Sequence, residues 1–210
     1  MKKLKPALEA RGFEVAIFHA TGMGGMAFEQ IAKQGKFVCV MDFALPELGN
    51  LLAGSVINGG EDRMLSAGVA NIPQIIAPGC IDLIDFAGWQ KIPEKYSGRP
   101  FHEHNRLIKS SALNTEERRE TAREINIRLK KSQAHVHVIL PLRGIEEWDK
   151  IDGPAYDPDG LSAFMNEMKN SIKEPIGVTE IDNHINDEEF SLTVMKIFDN
   201  WVEQGIVLNK

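Results

Sequence analysis

The chain has 210 residues, 43% hydrophobic and 26% charged, the make-up of one globular domain or a tight pair. Its 24 basic and 30 acidic side chains leave a net charge of −6 at pH 7, which argues against a sequence-independent nucleic-acid binder. Two cysteines, Cys39 and Cys80, are too few for an oxidised framework, Met1-Lys2-Lys3 is followed by Pro6, Glu9 and Arg11 rather than a signal-peptide apolar run, and no apolar stretch approaches the ~20 residues of a membrane span. What remains is a cytoplasmic α/β protein with neither nucleic acid nor membrane as partner.

Short apolar runs alternate with amphipathic segments, the pattern of βα repeats around a mostly parallel sheet. A helix over Lys3–Ala10 ends at Gly12, and Glu14–Phe18 reads as a strand. Gly24–Gln34 is helical, with Phe28, Ile31 and Ala32 on one face and Gly35 as its stop. Phe37–Met41 is a near-continuous apolar run, as in a strand covered on both faces. Pro46 suits the first turn of a helix burying Leu48, Leu51 and Leu52, and Gln74–Ala77 is a further strand. Residues 80–114 show no clean period and read as an irregular excursion or lid. Asn114–Glu117 caps a helix to about Ser132, and Val136–Leu140 is a strand. Asp157 and Pro158 start a helix, Gly177–Ile181 is the last strand, and Asn186 with Glu189 makes a capping box for the final helix. No repeat or linker divides residues 1–210, so the chain reads as one domain.

In open parallel sheets, ligands bind outside the carboxyl ends of the strands. Unusual polar residues follow each predicted strand: His19, Thr21, Gly22, Gly24 and Gly25 after the first, Asp42 after the second, and Gly79 after the third. Arg143 and Gly144 follow the fourth, and Asp182, His184 and Asn186 the fifth. The glycine turn runs straight into a helix, whose amino end favours a phosphate or carboxylate. Thr-Gly-Met-Gly-Gly is neither a dinucleotide fingerprint nor a Walker motif, so a plain tight turn stands beside an anion cradle. Arg143 offers bidentate pairing to the same anion, or a surface ion pair with Glu146 or Glu147. Asp42, Asp182 and His184 are acid–base candidates, joined by His104 with Asn105 from the excursion. No metal site is assigned, because no HExxH or CxxC spacing is present.

Taken in order, Phe18-His19-Ala20-Thr21-Gly22 with Gly24-Gly25, Gly60-Glu61-Asp62-Arg63, Ile72-Pro73-Gln74, Pro78-Gly79, His104-Asn105, Leu140-Pro141-Leu142-Arg143-Gly144, Tyr156-Asp157-Pro158 and Asp182-Asn183-His184-Ile185-Asn186-Asp187 resemble an ATP-binding family that includes the tomato tobamovirus-resistance protein. The resemblance spans essentially the whole chain and maps it onto that family's C-terminal domain. It implies a Rossmann-like three-layer sandwich, in a protein of two such domains and about twice this length. ATP with magnesium belongs, on this resemblance, to the absent N-terminal half. The resemblance also implies that the domain's first strand is missing, since Lys3–Ala10 corresponds to the helix after it. A sheet lacking a strand exposes unpaired backbone, so a separate N-terminal-half polypeptide or a second copy in a homo-oligomer is the expected partner. Ala44-Leu45-Pro46 departs from the family's hydroxyl residues after the aspartate and removes possible phosphate ligands.

The leading expectation is the C-terminal half of a two-part ATP-binding protein whose crevice binds a small anionic or phosphorylated ligand, with no reaction specified. His19, Thr21, Gly22, Gly24 and Gly25 form the anion cradle, and Gly79, Asn105, Arg143, Gly144 and Asn186 are further ligand-binding candidates. A non-catalytic interaction or regulatory module is the alternative. A divalent-metal-dependent hydrolase is the third reading.

Overall fold

The computed structural model describes residues 3–208; the basic opening Met1-Lys2 lies outside them. Helix α1 (Leu4–Glu9) buries Leu4 and Leu8, one turn apart. Phe13–Ala20 follows without secondary structure, although its composition predicts a strand over residues 14–18. A strand needs a neighbour about 4.8 Å away, and this segment instead faces the next strand edge across two cavities. Helix α2 (Met23–Lys33) leaves directly from Gly22, at φ +93°. Strand β1 (Val40–Asp42) and helix α3 (Pro46–Ala53) come next, with Pro46 in the first turn as its fixed φ favours.

Helix α4 (Ser66–Val69) leads to β2 (Gln74–Ile76). Residues 80–114 fold as a second sheet, antiparallel in the order β3 (Leu83–Ala87), β5 (Ile108–Ala112), β4 (His102–Asn105). It packs on α3 and has a small core of Ala53, Ile84, Phe86, Tyr96 and Leu113. Neither outer strand displays the alternation a sequence pattern needs. All four residues of β4 are exposed, and β3 is buried at all but Asp85.

Helix α5 (Thr115–Leu129) opens on the Asn114–Glu117 capping box, a feature worth about 1 kcal/mol. Strand β6 (Val136–Pro141), α6 (Pro158–Ser171), capped by Asp157, and β7 (Gly177–Ile181) follow. The last helix is α7 (Glu188–Glu203), and its N-cap is Asp187 rather than Asn186. The capping box expected of Asn186 and Glu189 does not form, because the helix starts one residue later; the Asp187 carboxylate accepts the His184 amide at 2.8 Å and makes no side-chain cap.

The main sheet is parallel throughout, in the order β1–β2–β6–β7. Ile76, Val138 and Leu140 point to the face covered by α3, α5 and α6. Ile75, Ala77, Ile139 and Ile181 point to the face covered by α1 and α7. Val40 shares a face with Gln74 and Ile76 through the ladder register and packs on α2 and α4. The chain is thus an α/β protein with the three-layer, Rossmann-like arrangement expected. Among the described residues no helix is long and apolar enough to cross a membrane.

Candidate functional site

A belt of backbone hydrogen bonds laces the loops at the carboxyl ends of the strands. Leu45 N–H donates to Gly79 C=O (2.8 Å), Cys80 N–H to Ile145 C=O (3.1 Å) and Ile185 N–H to Gly144 C=O (3.0 Å). The loops after β1, β2, β6 and β7 are therefore hydrogen-bonded to one another. Two of its glycines are there for space. A Cβ on Gly79 would lie 2.1 Å from Phe43 O, and one on Gly144, at φ +139°, 2.4 Å from the His184 ring.

Under the β1 end of the belt lies a buried charge cluster. Arg63 is 2% exposed; its Nε donates to Glu47 Oε2 (2.8 Å) and its Nη2 to Asp42 Oδ1 and Ala44 C=O (3.0 Å each). Its Nη1 bonds Asp42 Oδ2 and stands 3.5 Å from Glu29 Oε1. Burial works against the Arg63 charge, but Asp42, Glu47 and Glu29 outweigh it and raise its pKa. Burial raises the Glu29 pKa as well, against hydrogen bonds from Ser66 and the Arg63 charge. Glu47, wholly buried, also accepts the amides of Gly22 (2.6 Å) and Gly25 (3.0 Å) through Oε1. Donors expected to cradle an external anion are thus bonded to an internal carboxylate, and a phosphate would bind there only in exchange for Glu47. Gly24 serves the turn itself, since a Cβ there would fall 1.9 Å from His19 O.

A second polar cluster lies below the β6 and β7 ends. His184, 6% exposed, directs Nε2 to Asp149 Oδ1 (3.0 Å) and Glu146 C=O (2.9 Å), while its Nδ1 accepts the Asn186 amide (3.0 Å). Because Nδ1 accepts, the proton belongs on Nε2. Asp149 Oδ2 also accepts the Ile145 amide at 2.5 Å. Asp82 and Arg118 complete the cluster, buried, with Arg118 Nη1 3.6 Å from Asp82 Oδ2 and Nη2 3.4 Å from Asp157. Both Asp82 oxygens, Glu146 Oε1 and Arg118 Nη2 are buried without a hydrogen-bond partner among the described residues, an arrangement that concentrates at functional sites. Burial, opposed by Arg118, pushes the Asp82 carboxyl up to about 6. Burial, with the Asp82 and Asp149 charges, pushes Glu146 up to about 7 against its bond from Trp148 N–H. Burial and the same carboxylates push the Cys80 thiol up to about 12, so it stays protonated and a poor nucleophile.

Above these clusters the rim is exposed. Arg143 and Asp182 pair through two hydrogen bonds, 2.6 and 3.0 Å, with both side chains largely in solvent. This replaces the Glu146 or Glu147 pairing considered from the sequence. Asn186 Nδ2 reaches Glu147 Oε2 at 3.2 Å. His104 projects from β4, its ring 5.5 Å from that of Trp148, and Asn105 accepts the Leu107 amide within the β4–β5 turn. His19 and Thr21 are exposed, and His19 shares with Asp42 the wall of a cavity of about 410 Å³.

The structure therefore joins Arg143 to Asp182, His184 to Asn186, and Gly22 and Gly25 to each other through Glu47. Asp42 and His184 fall in separate clusters. Sequence reasoning missed Glu29, Glu47, Asp82, Arg118, Glu146 and Asp149. Helical phase carried a signal for two of them: Arg118 lines up with Ala122, Ile125 and Leu129, and Glu29 with Gly25 and Ala32. Among the described residues no group of three or more His, Cys, Asp or Glu is placed to hold a metal ion. The Gly22 and Gly25 amides are both engaged by Glu47.

Comparison with known proteins matches residues 1–202 to the family described as "Uncharacterised protein family (UPF0261) C-terminal domain". A UPF0261 protein of Brucella melitensis biotype 1 is 48% identical over 208 residues, 99% of this chain and 50% of its own length. One from Clostridium tetani is 31% identical over 95% of this chain and 50% of its own. The tomato ToMV resistance protein Tm-1 is 29% identical over 93% of this chain and 26% of its own. The chain spans about half the length of the bacterial relatives quoted.

Proposed function

Because this chain belongs to the UPF0261 family through its C-terminal domain, we propose that it is the ligand-binding half of a two-part, ATP-binding α/β protein, taking a small anionic or phosphorylated ligand at the carboxyl ends of its strands. One observation carries the reading. Arg143 is mounted on a turn locked to the β7 loop, its amide bonded to Asn183 C=O at 3.1 Å, while its guanidinium is held in solvent by a carboxylate that is itself exposed. An exposed ion pair is worth little and exchanges readily, and a guanidinium fits a phosphate or carboxylate bidentately. Asp182 then stands where the ligand's anion would sit, and Asn186 and His104, the latter on the second sheet, are further candidate contacts. ATP with magnesium is assigned to the other half of the protein. The two unpaired cysteines suit a cytoplasmic setting.

Thermal unfolding of the chain with inorganic phosphate, and separately with magnesium-ATP, tests this. A site filled at ~100 times its dissociation constant adds about 2.7 kcal/mol. The expected result is a phosphate-dependent rise in Tm that Arg143→Ala abolishes without lowering the Tm of the free protein. A rise that survives in Arg143→Ala, or none with either compound, sinks the reading. A second reading, a non-catalytic interaction module, draws on the open edge of β1.

A further inference from the structure

The main sheet ends at β1 with one edge unpaired among the described residues. Val40 donates its amide to Pro73 C=O and Asp42 C=O accepts from Ala77, both at 2.9 Å, so these residues turn their backbone groups to β2. In a parallel ladder the alternate residues turn theirs the other way, which leaves Cys39, Met41 and Phe43 facing outward. Opposite them runs Phe13–Ala20, and the amides of Glu14–Ala20 donate to nothing among the described residues.

Two cavities, of about 410 and 670 Å³, lie between these edges. Ala16, Cys39, Met41 and Phe43 wall both of them. The first is closed by Phe28 of α2, the second by Leu8 of α1 and Phe198 of α7. The gap is thus a slot between two backbone edges, with helices over both faces.

Chain handedness says what belongs there. Connections that step from β1 towards β7 carry α3, α5 and α6 on one face, and a parallel crossover is right-handed in about 98% of cases. Helix α2, which joins Phe13–Ala20 to β1, lies on that same face against Val40. Helix α1 lies on the opposite face beside α7. Its crossover therefore steps in the opposite direction, and a strand leading into α1 stands on the β1 side of Phe13–Ala20. That place is the slot.

We propose that the slot accepts a parallel β-strand, near-continuously apolar because both its faces are covered, supplied from the half of the family's length that this chain does not span. The strand bonds Cys39, Met41 and Phe43 along one edge and Phe13–Ala20 along the other, with its carboxyl end arriving near the start of α1. Main-chain bonds supply the affinity, as in other cases of strand addition.

The test co-expresses this chain with the half of the 48%-identical Brucella melitensis protein that it does not match. The expected outcome is a one-to-one complex in which amide exchange at Cys39, Met41 and Phe43, and at one alternate set of the amides from Glu14 to His19, slows at least ~10-fold relative to the chain alone. Ala16→Arg, at an exposed position on the slot wall, should keep the unfolding midpoint of the free chain and abolish the complex. Absence of a complex, or a complex that leaves those amides unprotected, overturns the proposal. So does protection of the same amides in the chain alone: in a monomer the slot is closed by direct pairing, and in a dimer its occupant is a second copy.

Discussion

Glu47 accepts the Gly25 amide at 3.0 Å, so the amino end of α2 already holds an anion, and that anion is part of the protein. The same carboxylate lies in the first turn of α3 and bonds Arg63, so it answers two helix ends and a buried cation at once. Replacing it with the isosteric amide keeps the shape and removes the charge. Glu47→Gln should cost about 1.5–3 kcal/mol, the range for hydrogen bonds to charged groups, read from urea unfolding. A loss under ~0.5 kcal/mol, the scatter of ordinary surface changes, would mean that Glu47 does not tie the glycine turn to the cluster.

Arg63→Met asks more of the same cluster. It leaves Glu29, Asp42 and Glu47 facing one another with no cation among them, and breaking a buried pair by removing one partner costs about 3–5 kcal/mol. Protonation relieves like-charge repulsion, so the gap between variant and parent should narrow as pH falls towards 4. Urea unfolding at several pH values checks both statements; a gap that widens in acid contradicts them.

The parallel core was legible because its signals are periodic. Ile75 and Ile76 point to opposite faces, and α6 and α7 bury Phe164, Met168, Phe190, Val194 and Phe198 at helical spacing. Legibility failed where the controlling neighbour is distant in sequence or absent. Val15–Phe18 has a strand's composition, but pairing needs a second edge at ladder distance. His102–Asn105 forms β4 with every side chain exposed, held through its ladder with β5. In the candidate site, the polar residues after the strands could be picked out, but not their partners. Arg143 meets Asp182 rather than Glu146, and Glu47 is bonded to the glycine turn from 22 residues away. Buried charges such as Asp82 and Arg118 are chemically identical to surface charges, and only the phase of Arg118 along α5 set it apart.

The two raised carboxyls fix a pH dependence. Asp82 and Glu146 titrate at about 6 and about 7 in the folded chain, against values of about 4 when unfolded. Between those limits the native state binds more protons than the unfolded state, so these groups make stability fall as pH rises from about 4 to 7. Glu146→Gln should flatten that slope and leave the variant more stable than its parent at pH 8, with little difference at pH 4. Unfolding curves in which parent and variant keep parallel pH profiles would place the Glu146 proton elsewhere.

Gly144 and His184 occupy space that admits only one arrangement. A Cβ at Gly144 would lie 2.4 Å from the His184 ring and 2.5 Å from Asp149 Oδ1, so Gly144→Ala should cost about 1–3 kcal/mol in overpacking. Its positive φ adds strain. His184→Ala should cost about 1–3 kcal/mol by leaving Asp149 Oδ1 and the Asn186 amide short of a partner. The double variant separates these causes. Removing the ring vacates the space that the alanine methyl needs, so the combined loss should fall short of the sum by about 0.5 kcal/mol or more, the threshold for coupled neighbours. A strictly additive pair would show that the penalty at Gly144 comes from its backbone conformation and the Asp149 contact, and that the imidazole does not share it.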